Sequence, residues 1–143
     1  MTDLYLQVRI LYYLFESRNR GEGSMLLQDL HGKENLQYVD PITLRNELDL
    51  LKEKRYVESI QQGQHWRLSA IGAEKTESLY TNFVKFIETY QIEHWSDWVS
   101  NFNEFSSISD RINEIFFKIH KEPVLRKAFG EYLKSREFRS IYP

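Results

Sequence analysis

The strongest constraint on this chain is a helix that is apolar on two nearly opposite faces. Leu4, Val8, Leu11 and Phe15 fall at i, i+4, i+7 and i+11 of a helical pattern running from about Asp3 to Ser17. Leu6, Ile10 and Tyr13 form a second stripe almost opposite the first, at about 100° per residue. Such a helix must be covered on both sides. It is either the central helix of a core or one shared between an N-terminal domain and a dimer or C-terminal layer, and both can hold at once.

The rest of the chain can supply that cover. It has 143 residues, 41% hydrophobic and 15% aromatic, which suits one domain or a small domain with a helical extension. No apolar run reaches the roughly 18–20 residues that span a bilayer, and Met1-Thr2-Asp3 does not open a signal peptide. The absence of cysteine excludes disulfides, thiolate metal sites and cysteine nucleophiles. A cytoplasmic protein without a membrane partner is expected. The net charge is −2, with neither half basic: residues 1–75 hold ten Lys/Arg against eleven Asp/Glu, and residues 76–143 nine against ten. The cationic footprint usual in nucleic-acid binders is therefore missing from the composition.

Further along, Arg18–Gly23 reads as a polar loop, and Ser24 is the expected N-cap of a short helix from Met25 to His31, stopped by Gly32. Asp40-Pro41 opens the next helix, with Asp as cap and Pro at its first position, and Leu44, Leu48 and Leu51 as its buried stripe. The helix should end near Lys54-Arg55. Tyr56–Ile60 and His65–Leu68 read as strands of a β-hairpin turning at Gln61–Gln64. From Ser69-Ala70 a long helix carries Leu79, Phe83, Phe86, Ile87 and Tyr90 on one side. Its phase slips near Gln91–Glu93 before Trp95, Trp98, Val99, Phe102 and Phe105. Ser106–Ser109 caps a further helix with Ile108, Ile112, Ile115, Phe116 and Ile119. Glu122-Pro123 starts a last one with Leu125, Phe129, Tyr132 and Leu133.

This order of helix, short helix, helix, hairpin and long helix resembles a winged helix-turn-helix. The stretches Leu48–Val57 and Trp66-Arg-Leu-Ser-Ala-Ile-Gly72 look like a recognition helix entering the first wing strand and a second wing strand turning into the next helix. Over residues 4–90 the chain is similar to the PadR and MarR families of small prokaryotic regulators. The resemblance implies a mainly α fold with a small β-hairpin: a winged-helix domain over 1–75 and a helical, dimerising extension over 76–143. It also implies a DNA-binding transcriptional regulator acting as a homodimer on double-stranded DNA.

The outward face of the third helix has to be read on its own, because winged helices also dock proteins. By helical angle it presents Ile42, Asn46, Asp49, Leu50 and Glu53, with no central cation. Asn46 and Leu50 stand where the resembled families often place cations. For DNA, the candidates are Arg18, Arg20, Arg45, Lys54 and Arg67 for phosphates, and Thr43, Asn46, Gln64 and His65 for sequence readout. Glu47, Asp49 and Glu53 would repel a duplex. For docking of a protein partner, the candidates are Ile42, Asn46 and Leu50. A third reading is a regulator whose aromatic C-terminal layer encloses a small apolar molecule.

Nothing in the sequence points to an enzyme. The four histidines show no HExxH or paired metal spacing, and no G-x-S-x-G, P-loop or G-x-G-x-x-G occurs. No metal or organic cofactor is expected. Trp95 and Trp98 at helical spacing read as core or interface. Homodimerisation is expected through the first helix and the helices after Leu79, because the aromatic surface exceeds what one small winged domain covers.

Overall fold

A computed structural model describes residues 4–33, 36–89, 119 and 121–143. The phase slip at 91–93, the Trp95–Phe105 stripe and the helix capped at 106–109 lie outside the described residues. The chain divides into two compact units, Met1–Thr76 and Glu77–Pro143. It is mainly helical with one small three-stranded antiparallel sheet.

The first unit opens with α1, Leu4–Asn19, of which Leu6–Tyr12, Leu14, Phe15 and Ser17 are buried, so both expected faces are covered. Next come a two-residue strand, β1 (Met25–Leu26), and a single helical turn, α2 (Leu27–His31). The expected cap at Ser24 is overturned. Met25 and Leu26 are drawn into strand pairing with Trp66 and His65, so the helix starts two residues late and its N-cap, Leu26, makes no side-chain cap bond. Ser24 Oγ instead lies 3.3 Å from His65 Nδ1. Gly32 ends α2 as expected, with ordinary right-handed backbone.

α3, Pro41–Glu53, starts where expected: Asp40 Oδ1 accepts the Ile42 amide at 2.7 Å and Pro41 forgoes an amide that would be unpaired there. Leu44, Leu48 and Leu51 are fully buried. The helix closes without a glycine. Arg55 takes the left-handed backbone at φ 68°, its amide donating to Lys52 O at 2.9 Å and that of Tyr56 to Leu51 O at 3.1 Å.

β2 (Val57–Ile60) and β3 (His65–Leu68) form the hairpin, and β3 is central in the order β1-β3-β2. Met25, Val57, Trp66 and Leu68 point into the core with α1 and α3 residues. α4, Ala70–Thr89, begins at Ser69, whose hydroxyl accepts the Gly72 amide at 3.0 Å and donates to Arg55 O at 2.6 Å. Gly72 is required there, because any Cβ would collide with the Tyr56 carbonyl.

In the second unit, α4 continues with Leu79, Phe83 and Phe86 buried. α5, Pro123–Leu133, begins at Glu122-Pro123 as expected and buries Leu125, Phe129 and Leu133. It is not the last helix. Ser135 Oγ accepts the Phe138 amide at 3.1 Å and caps α6, Arg136–Ile141, which buries Phe138.

Candidate functional site

Two surfaces meet in the first unit: the N-terminal half of α3 and the hairpin turn. The turn holds three consecutive left-handed residues, Gln61 (φ 53°), Gln62 (φ 59°) and Gly63 (φ 85°). Only the glycine adopts this backbone at no steric cost. Two contacts hold the turn: Trp66 Nε1 donates to Gly63 O at 2.8 Å, and Gln64 N donates to Gln61 O at 3.2 Å. Gln64 O accepts from Leu27 N at 2.8 Å and ties the turn to α2. From the other side Arg45 of α3 lies over Trp66, its guanidinium carbon 5.5 Å from the ring centroid, close enough to Gly63 that a Cβ there would strike it.

On α3, Ile42, Asn46, Asp49 and Glu53 are exposed, as the helical angles predict, and so is Thr43, whereas Leu50 is half-buried. Ile42 is 71% exposed. Glu47 departs from expectation. It is only 4% exposed and accepts Gln7 Nε2 of α1 at 2.9 Å, so it adds no negative charge to the outward face. Lys54 Nζ reaches Gln7 Oε1 at 3.5 Å on the same network. Burial pushes the Lys54 ammonium below its ordinary range, and the Glu47 carboxylate opposes that shift.

The cations proposed for phosphate contact are all held within the chain. Arg20 bridges Glu16 at 2.7 Å and Glu22 at 3.1 Å. Arg67 pairs with Glu58 at 2.8 Å across the hairpin. Arg18 Nη1 donates to Leu68 O at 3.4 Å, and Arg45 sits 3.6 Å from Asp49. These ion pairs are about half exposed, and such pairs contribute roughly 0–1 kcal/mol, so a phosphate can displace them. Gln64 is exposed, and His65 is half-buried beside Ser24. Thr43, Arg45, Asn46 and Gln64 thus lie on α3 and the adjoining turn. Arg18, Arg20 and Arg67 belong to the α1 end and the outer hairpin.

Sequence reasoning missed a groove of about 450 Å³ whose walls are Leu26, Leu27, Pro41, Leu44, Arg45 and the Gly63-Gln64 turn. A two-residue strand has no periodicity to read, so the exposure of Leu26 at 40% carried no sequence signal. Among the described residues no three His, Asp or Glu side chains converge as a metal set, and no helix is long and apolar enough to cross a membrane.

Compared with protein families, curated proteins and solved structures, the chain matches none.

Proposed function

We propose that the first unit is a winged helix-turn-helix that binds double-stranded DNA as a transcriptional regulator, two copies to a site. The observation that carries this reading is the exposed start of α3 beside the hairpin turn. Between the Asp40 cap and Asp49 the only carboxylate, Glu47, is turned inward, leaving Thr43 and Asn46 outward. Helix-turn-helix proteins read bases with the N-terminal residues of that helix, and Asn pairs bidentately with adenine. Asp49 and Glu53 lie towards the far end, where Arg45 offsets Asp49. The turn is short, so groove contact from it is limited to Gln61, Gln62 and Gln64. One copy offers few phosphate contacts, and a pair on a two-fold site is what raises affinity. The described aromatic side chains of the second unit largely cover one another, so pairing rests on this need and not on surplus aromatic surface.

Anisotropy titration of labelled duplex tests the reading. Binding is expected at about 20 mM salt, with a shallow salt slope of roughly −0.9 per neutralised phosphate. Arg67→Ala should weaken all sequences alike, and Asn46→Ala should blunt discrimination between sites. No binding near 100 μM protein, the weak end of non-specific affinity, overturns it.

A second reading is docking of a protein partner on the outward face of α3. The exposure of Ile42 and the engagement of every candidate cation favour it. In that case Ile42→Asp abolishes capture while Arg67→Ala leaves it unchanged.

A further inference from the structure

We propose that the groove between α2, the start of α3 and the hairpin turn receives a short peptide segment carrying apolar side chains and a carboxylate. The inference goes beyond both readings, because the groove is lined by residues other than Ile42, Asn46 and Leu50 of the outward face. At about 450 Å³ the groove has the size of a cleft that takes a few side chains. The exposed Leu26 and Pro41 and the half-buried Leu27 give its apolar walls, with the buried Leu44 behind them. A duplex presents phosphates, sugars and base edges, so it cannot desolvate these walls; apolar side chains can.

The polar part of the lining fixes the sign of the occupant. Among the described residues no Asp or Glu lines the groove, and the one permanently charged group among them there is Arg45. That guanidinium is anchored over Trp66 with its position set by Gly63. Its ion pair with Asp49 is long, at 3.6 Å, and about half exposed, so it contributes little and can be displaced. An incoming carboxylate competes with Asp49 for this guanidinium through charge-assisted hydrogen bonds. Gln28 and Gln64 line the same groove and supply uncharged donors, while His31 is fixed by donating Nε2–H to Val39 O at 2.8 Å. A basic segment would place like charge against Arg45, and a purely apolar one would gain nothing from it.

The test is selection of a random 12-residue phage-displayed peptide library on the full-length chain, followed by anisotropy with the enriched peptides made synthetically. Enriched peptides are expected to combine apolar side chains with Asp or Glu. Leu26→Asp should weaken them at least about tenfold, the effect of roughly 1.4 kcal/mol. Leu26 pairs in β1, so Gln64→Glu serves as a second variant: its exposed side chain places a negative charge at the rim, and it should weaken the same peptides while leaving the circular dichroism unchanged. The inference is overturned if no peptide is enriched, if enriched peptides lack carboxylates, or if neither variant weakens them. Loss with Ile42→Asp but not with Leu26→Asp or Gln64→Glu overturns the groove and leaves docking on the outward face standing. Duplex binding without peptide enrichment overturns the groove and leaves the DNA reading intact.

Discussion

The two units are held together by different physics. Among the described residues, every buried polar or charged side chain (Gln7, Arg9, Ser17, Glu47 and Thr76) falls in the first unit. One pair of them bridges distant segments, Gln7 to Glu47 across 40 residues, and the exposed Arg18 reaches Leu68 across 50. The second unit instead packs rings on rings. Phe83 and Phe129 meet edge to face with centroids 4.9 Å apart, Phe86 and Tyr132 stand at 5.0 Å, and Phe138 and Tyr142 stack at 5.5 Å. Aromatic contact is strong but tolerant of direction, whereas a buried hydrogen bond is satisfied in one geometry. Orientation is therefore enforced most tightly where α3 must present its outward face, and cohesion alone suffices elsewhere.

The largest expected effect tests the aromatic unit. Phe83→Ala removes a fully buried ring that touches Phe129, Tyr132 and Phe138, and should cost about 3–5 kcal/mol. Hydrogen exchange should accelerate first in residues 77–143. Equal acceleration throughout the chain would erase the distinction between the units.

Next in size is Gln7→Leu, which leaves the buried Glu47 carboxylate without its amide donor. A loss of about 1–3 kcal/mol is expected, read by denaturant titration, with exchange rising in α1 and α3. A neutral outcome would mean that orientation in the first unit does not depend on its polar bonds.

Arg55→Gly should go the other way. The left-handed backbone costs a non-glycine residue about 1 kcal/mol, so the variant should gain roughly that in thermal or denaturant unfolding.

The smallest effect appears in alkali. Burial raises the phenol pKa of Tyr56 in the first unit and, together with the nearby Glu137, that of Tyr132 in the second. A raised folded-state pKa favours the neutral phenol, so this stability is complete below the unfolded value near 10 and is lost as pH climbs through the folded one. Lys54 has the opposite sign: its lowered pKa makes the first unit gain stability over the range just below the unfolded lysine value. Alkaline loss should therefore be steeper in the second unit, and Tyr132→Phe should flatten it more than Tyr56→Phe. Exchange measured between pH 9 and 11, a window spanning the unfolded tyrosine and lysine values, checks this.

Local chemistry made much of the fold legible. Asp40-Pro41, the four-residue turn at 61–64 and Glu122-Pro123 each carry their structural reason within a few adjacent residues. What escaped depended on distant partners or very short spans. β1 exists because Trp66 and His65 arrive some 40 positions later, and it displaced the Ser24 cap. α6 is too short for periodicity, although Ser135 caps it. At the site, the outward positions of Ile42 and Asn46 followed from helical angles. Glu47 stands at i+3 of Leu44, on the side of the buried stripe, but the Gln7 of α1 that receives it could not be read. Nor could the seat of Arg45, which needs Trp66 beneath it and a glycine at 63. Gly72 could be recognised by pattern, but its cause, the Tyr56 carbonyl, is visible only in three dimensions.

The covered state of α1 also carries a consequence for how the chain is made. Its partners in the first unit, α3 and β3, are synthesised after it, with β3 finishing at Leu68. At roughly 5–20 residues per second, a ribosome needs on the order of several seconds to reach that point. During that interval two apolar stripes are exposed on a nascent segment with nothing of its own to cover them. Translational pausing between Asn19 and Leu68 lengthens the exposure and should lower soluble yield. Pausing after the whole first unit has left the ribosome should not.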